Sequence, residues 1–404
     1  MATATEVTRM TSTTHERPLR RRLFATAVTV WATASFVIVA CMVAPAMPSP
    51  VMTAISSLAY ALNPALAISV ALGVLLVVIA ARKRRPVLTA VAAITTAVLA
   101  AAVVVPTIAL ARAASDRDIH LSIAGLAQSP AGGLDAPTET VTYASPDGED
   151  LRMDVWQAEN PDDAANAALI YVFGGAYLSG TRADWTPFFQ HLTSQGISVF
   201  AMDYRLSTPT TPTWNKAPGD IACAVGWVRE NASTYNIDAD RLVLSGGSAG
   251  ANLALLTAYS AGSDAITPSC ETGDTSVRAV IDFYGPTDLA TTARDTVSPA
   301  VADALEQYTG ATPTDEPSRY ELLSPTTYVT ADAPPTLILH GGRDSGVPVA
   351  QSTSLADTLD EAGVPNELVI VPAAEHGFDA IFGSFANQIA QAEVTRFFEK
   401  YVTN

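Results

Sequence analysis

Arg241-Leu242-Val243-Leu244-Ser245-Gly246-Gly247-Ser248-Ala249-Gly250-Ala251-Asn252 is the stretch from which the fold can be read. A short apolar run, Arg241–Leu244, enters a turn of small residues, and Ala249–Tyr259 follows with the composition of a good helix. Between them stands Gly246-x-Ser248-x-Gly250. A serine on a strained strand-to-helix turn needs tiny neighbours two positions away on each side, so that the backbones can pass. Its hydroxyl then projects beside the first N–H groups of a helix, which favour developing negative charge. The plain alternative is a Gly/Ser turn that merely caps a helix. A strand before and a helix after favour the nucleophile reading.

Working outward, the same alternation continues. Thr138–Ala144 and Leu151–Gln157 alternate in polarity around Ser145-Pro146-Asp147-Gly148, a hairpin signal. Ala168–Phe173, Ile197–Met202, Val277–Phe283, Thr336–Leu339 and Glu367–Val371 are short apolar runs. Helical stretches separate them near 184–194, 218–231, 350–361 and 385–401. Short buried strands alternating with helices predict an α/β fold: a mostly parallel sheet covered on both faces, with an antiparallel edge from the hairpin.

Ligands of such a sheet sit at the carboxyl ends of its strands. A serine nucleophile needs a base there, following it in the chain order Ser, Asp/Glu, His. His340 and His376 follow Ser248. His376 lies on a loop five residues past Glu367–Val371, whereas His340 ends its own strand run and reads as a buried or turn-supporting residue. The acid belongs after the preceding strand, where Asp344 stands in Gly341-Gly342-Arg343-Asp344. Its work is to hold the imidazole tautomer and stabilise the imidazolium. Asp288, in Gly285-Pro286-Thr287-Asp288, is the competitor. Gly174, Gly175 and Ala176 follow the Ala168–Phe173 run, where backbone N–H groups can face an oxyanion, and the Ala249 N–H supplies another donor.

With these residues in hand, Thr138–Val402 resembles the α/β-hydrolase esterases and lipases, both the hormone-sensitive-lipase-like and the bacterial feruloyl-esterase-like groups. The segments that carry the resemblance are Phe173-Gly174-Gly175-Ala176, Asp203-Tyr204-Arg205-Leu206-Ser207, Gly246-Gly247-Ser248-Ala249-Gly250, Gly285-Pro286-Thr287-Asp288 and the Asp344 and His376 loops. It implies a Ser248–Asp344–His376 triad and an oxyanion hole from the Gly175, Ala176 and Ala249 amides. Phe173 stands where the family usually has His, and Ala176 where it has a third Gly. Amide donation survives both changes, but a side chain at position 176 crowds bulky alcohol groups. The segments 286–330 and 207–218 are expected to cap the pocket.

The first quarter of the chain is built differently. Leu23–Ala81 runs 59 residues without a formal charge, interrupted by Pro45, Pro48, Pro50 and Asn63-Pro64. A membrane-crossing helix needs about 20 apolar residues. We read three spans, at about Leu23–Ala44, Ala61–Ala81 and Val87–Ala111. A cleaved signal peptide explains only one of these runs. Basic residues precede the first span and fill Arg82-Lys83-Arg84-Arg85, while 45–60 has none, which predicts a cytoplasmic N-terminus and an extracytoplasmic C-terminal part. The expected organisation is a tail over 1–22, a multi-pass anchor over 23–111, a stalk over 112–136 and a catalytic domain over 137–404.

Charge separates the same two parts. Residues 1–115 hold ten Lys/Arg and two acids, against 13 and 38 in the remainder, or +8 against −25. A domain at −25 repels nucleic acid phosphates. Of three cysteines, Cys41 lies in the first span, and an outside compartment permits Cys223 and Cys270 to pair. No metal or organic cofactor is implied, and the expected partners are a small-molecule or lipid ester and the membrane. The rival readings are an envelope acyltransferase using the same residues, a catalytically silent surface binding module, and a peptidase.

Overall fold

The computed structural model describes residues 4–43, 66–127, 136–158 and 166–403, with side chains from Arg21 onward. Two compact units divide it, one ending at Ala109 and the other beginning at Leu110.

The first unit is helical. Ala4–Val43, Leu66–Arg82 and the helix beginning at Pro86 are its elements. Val28, Leu76 and Ala92 bury against one another, and the Trp31 indole N–H donates to Ser69 Oγ at 3.0 Å. Two stretches, Arg21–Met42 and Pro86–Ser115, are long and apolar enough to cross a membrane. Among the described residues two stretches reach that length, rather than the three expected. The middle helix has 17 residues, a rise of about 26 Å against a hydrocarbon core of about 30 Å. The expected loop over 45–60, Asn63-Pro64 and the first five residues of the expected second span lie outside the described residues.

The second unit carries an eight-stranded sheet ordered β1-β2-β4-β3-β5-β6-β7-β8. Its strands are β1 Glu139–Ala144, β2 Leu151–Trp156, β3 Ala168–Val172, β4 Ser198–Met202, β5 Leu242–Gly247, β6 Ala279–Phe283, β7 Thr336–Gly341 and β8 Asn366–Val371. The hairpin β1–β2 and the β2–β4 pair are antiparallel; the remaining neighbours are parallel. At the hairpin, Asp147 and Gly148 both take positive φ, as its Pro-Asp-Gly turn allows. Every residue of β3 to β7 is buried, which is why these strands read as continuous apolar runs rather than alternating ones.

Register aligns the functional ends of the sheet. Val172 pairs with Gly246 and Gly247 with Phe283, so the loops leaving β3, β5 and β6 emerge side by side. Strand β5 runs three residues beyond its apolar part because Ser245-Gly246-Gly247 still complete its ladder to β6. Strand β7 likewise continues through His340 and Gly341. Helices Leu289–Asp295, Pro299–Thr309 and Pro317–Leu322 fill the connection between β6 and β7.

Residues 110–127, which run from the end of the expected anchor into the segment read as a stalk, pack on this unit. Leu110, Ala114 and Ile119 belong to its core. The Gln388 side chain accepts from Ser122 N at 2.7 Å and donates to Ser122 O at 2.9 Å.

Candidate active site

Ser248 occupies the turn between β5 and the helix Ala249–Ser260 with φ 56° and ψ −121°. A non-glycine residue in that region costs on the order of 1–3 kcal/mol and persists only where its surroundings impose it. They do so here by close packing. A Cβ on Gly246 would meet the Gly250 carbonyl carbon at 2.4 Å, and one on Gly250 would meet Val172 O at 2.2 Å. The Ser248 N–H donates to Phe283 O at 2.8 Å, tying the turn to β6.

Ser248, His376 and Asp344 come together. Ser248 Oγ lies 2.8 Å from His376 Nε2, and His376 Nδ1 lies 2.7 Å from Asp344 Oδ2. The imidazole is 25% exposed and the Asp344 side chain fully buried. Asp344 Oδ1 also accepts from the Gly346 and Val347 amides, each at 2.8 Å. Burial works against a charged Asp344. The His376 charge and hydrogen bonds from His340 and His376 outweigh it and hold the carboxyl well below its ordinary range. For His376, burial disfavours the cation, but Asp344 prevails with help from Asp379 and Glu375, and its pKa rises.

Asp288 is occupied elsewhere. Its carboxylate accepts from Thr291 N at 2.9 Å and caps the helix Leu289–Asp295. His340 is fully buried at the end of β7, as its position in the sequence suggests.

The loop after β3 is shaped for amide donation. Gly175, Ala176 and Tyr177 take φ of 116°, 57° and 65° in succession. A Cβ at Gly175 would sit 2.0 Å from Ser179 O, so only glycine fits. A Cβ at Gly174 would stand 3.4 Å from Ser248 Cβ, which puts this loop against the nucleophile turn. Among the described residues the Gly175, Ala176 and Ala249 amides have no protein acceptor. Donors left free beside a nucleophile are what a developing oxyanion requires.

Some of the surroundings escape sequence reasoning. The Tyr284 ring lies 4.7 Å from the His376 ring, and its hydroxyl donates to Asp379. The Trp185 indole N–H donates to the other Asp379 oxygen at 2.7 Å. Burial raises the Asp379 pKa against these two hydrogen bonds. Glu375, also buried, accepts from the Ser345 amide and hydroxyl at 3.2 and 3.0 Å. The crowding of acids around His376, in Glu375-His376-Gly377-Phe378-Asp379, was a usable signal for both carboxylates. Trp185 had none. Away from the site, Cys223 and Cys270 are bridged, with Cα atoms 5.5 Å apart. Among the described residues no cluster of three or more His, Cys, Asp or Glu could hold a metal ion.

A mostly parallel sheet with a strained serine at one strand end and an aspartate–histidine pair on later loops defines the α/β-hydrolase esterase class. Thermogutta terrifontis esterase 2, in a structure phosphonylated by sarin, matches at a TM-score of 0.58 and 25% identity over 67% of this chain and 98% of that one. The chain belongs to the BD-FAE family, which it matches over residues 153–359. Esterase LipQ of Mycobacterium tuberculosis is 33% identical over 261 residues, 64% of this chain and 61% of the relative. Probable carboxylic ester hydrolase LipM of the same organism is 31% identical over 306 residues, 71% and 70% of the two chains. The matches thus span less than three quarters of either relative, and the class they define is the carboxylesterase/lipase-type hydrolases.

Proposed function

We propose that the protein is a membrane-anchored carboxylic ester hydrolase that works through an acyl-enzyme on Ser248. The observation that carries this reading is the hydrogen-bonded chain from Ser248 Oγ through His376 to a buried Asp344, at 2.8 and 2.7 Å. Ser248 Oγ attacks the ester carbonyl while its proton passes to His376 Nε2. The Gly175, Ala176 and Ala249 amides receive the oxyanion. Collapse breaks the bond to the alcohol, which leaves with the proton from Nε2. Water then repeats the sequence: its oxygen attacks the acyl carbon as His376 takes its proton, the acyl–Oγ bond breaks as Nε2 returns that proton to Oγ, and the acid departs. Asp344 stays ionised and offsets the charge of the imidazolium.

The two long apolar helices support anchoring, and the Arg82-Lys83-Arg84-Arg85 cluster just before the second of them supports a hydrolase unit outside. The test of the activity uses the full chain in detergent with p-nitrophenyl esters of increasing acyl length and a fluorophosphonate probe. Turnover with stoichiometric labelling at Ser248 is expected. Labelling elsewhere, with turnover intact in Ser248→Ala, overturns the mechanism. Acyl release accelerated by added alcohols or sugars but slow in water would favour an acyltransferase.

A further inference from the structure

Asp344 is bracketed by two histidines. Its Oδ2 lies 2.7 Å from His376 Nδ1 and 3.2 Å from His340 Nε2. With the Gly346 and Val347 amides on Oδ1, the buried carboxylate faces four donors. A carboxylate has about four acceptor positions. Removing one donor from a fully buried anion frees it to rotate toward the rest.

His340 is itself constrained. Its Nε2 is 3.0 Å from Val347 O, an atom that can only accept, so Nε2 carries the proton. Its Nδ1 is then the acceptor in the neutral ring, and the Ser352 hydroxyl lies 2.7 Å from it. Ser352 stands in the first turn of the helix Ala350–Ala362 and is completely buried. The other titratable group facing His340 is Asp282 of β6, also buried; burial pushes its carboxyl up to about 7, against a hydrogen bond from the Gly285 amide. His376 is faced by Asp344, Asp379 and Glu375.

We propose that His340 is a positioning residue: its Nε2–H, shared between Val347 O and Asp344 Oδ2 while Ser352 braces the ring at Nδ1, fixes Asp344 Oδ2 on the line to His376 Nδ1. The proposal rests on the Ser248–His376–Asp344 reading and deepens it. His340 touches neither Ser248 nor the reacting ester; it acts through Asp344.

The test compares His340→Asn with His340→Gln in the full-length protein. The Asn amide matches the position of Nδ1 and keeps the Ser352 partner but falls short of Asp344. The Gln amide extends to the position of Nε2. For His340→Asn, kcat should fall about tenfold to a hundredfold, the scale of a lost hydrogen bond to a charged group, with KM little changed. The acid limb of the kcat/KM profile should move to lower pH, because a displaced Asp344 supports the imidazolium less. For His340→Gln both kcat and the limb should return toward wild type. Equal behaviour of the two variants, or a lowered kcat with an unmoved limb, overturns the proposal and leaves a structural histidine. If both fail to fold, Ser352→Ala, which leaves His340 in place, must move the limb the same way; an unmoved limb there also overturns it. Turnover surviving in Ser248→Ala is a separate outcome that sinks the triad instead.

Discussion

Tyr177 and Tyr308 lie face to face, ring centroids 3.8 Å apart and planes within 5° of parallel. The pair joins the amide-donating loop after β3 to the helix Pro299–Thr309 between β6 and β7. Both hydroxyls are buried without a hydrogen-bond partner among the described residues. The energy therefore resides in ring packing, not in polar contacts. Tyr308→Phe should leave stability unchanged or raise it, because an unpaired buried hydroxyl is costly. Tyr308→Ala should cost about 3–5 kcal/mol as a large-to-small change in a core. It should also lower kcat/KM, since a displacement near 1 Å of catalytic donors costs up to about a hundredfold. Thermal melts and ester kinetics on both variants check this; a strongly destabilised Tyr308→Phe would point to a partner for the hydroxyl.

The roles of the two candidate acids separate cleanly. Asp344→Asn should lower kcat severely. Asp288→Asn should leave kcat within a few-fold and change stability little, because Asn caps a helix about as well as Asp. The reverse ranking would transfer the acid to Asp288. Ser248→Ala and His376→Ala should each lower kcat by roughly 10³–10⁶-fold, and the double variant should be scarcely worse than either, since residues acting as a unit are not additive.

Much of this site could be read from the chain because its parts are local. Gly246-x-Ser248-x-Gly250 carries its own steric reason, and Asp344 and His376 follow apolar runs at strand-end distances. The hairpin and the order of strands and helices were legible for the same reason. What could not be read depends on side chains brought together from remote positions. The Trp185–Asp379 contact spans 194 residues and Tyr284–Asp379 spans 95. His340 was legible as buried, yet its approach to Asp344 depends on how the 341–347 turn folds back. The middle apolar run is described only in part. Its last part, Leu66–Arg82, is helical; the segment before it lies outside the described residues.

The pH dependence follows from His376. It must be neutral to accept the Ser248 proton, and its pKa lies above the ordinary 6.5. The acid limb of kcat/KM should therefore fall above pH 6.5, with activity lost as pH drops through it. Asp344→Asn removes the main cause of the rise and should move the limb downward. For stability the signs differ. The raised His376 pKa stabilises the fold below its unfolded value and is lost as pH rises through the folded one. The depressed Asp344 pKa stabilises above the ordinary carboxyl value and is lost only in strong acid. A kcat/KM profile with its acid limb well below 6.5 would contradict the Asp344–His376 coupling.

The Cys223–Cys270 bridge ties the helix Ala217–Glu230 to the segment before β6, 47 residues further on. By the loop-entropy argument its closure contributes roughly 4 kcal/mol, less any strain. Reduction or Cys270→Ser should lower the melting temperature while leaving kcat largely intact, because the bridge is not part of the Ser248–His376–Asp344 hydrogen-bonded chain. Non-reducing peptide mapping checks the bond itself. Two alkylatable thiols at these positions in the oxidised protein would remove it.

The last prediction concerns topology. Arg82-Lys83-Arg84-Arg85 lies between the two helices long enough to cross a membrane, and Arg17, Arg20, Arg21 and Arg22 precede the first. Basic residues are retained on the cytoplasmic side. With both clusters inside, the helix Pro86–Ser115 carries the chain outward, and the hydrolase unit emerges in the compartment that permits its disulfide. That orientation requires an additional crossing before Arg82, in which Leu66–Arg82 takes part despite its 17 residues; a shorter helix is accommodated by local thinning of the bilayer. Protease added to intact spheroplasts should digest residues 116–404 and spare the 82–85 segment. Substituting Arg82, Lys83, Arg84 and Arg85 together by Gln should weaken the orientation and leave part of the population protected. Full protection of the wild-type hydrolase unit, with an external control cleaved, would reverse the orientation and leave the two cysteines in a reducing compartment.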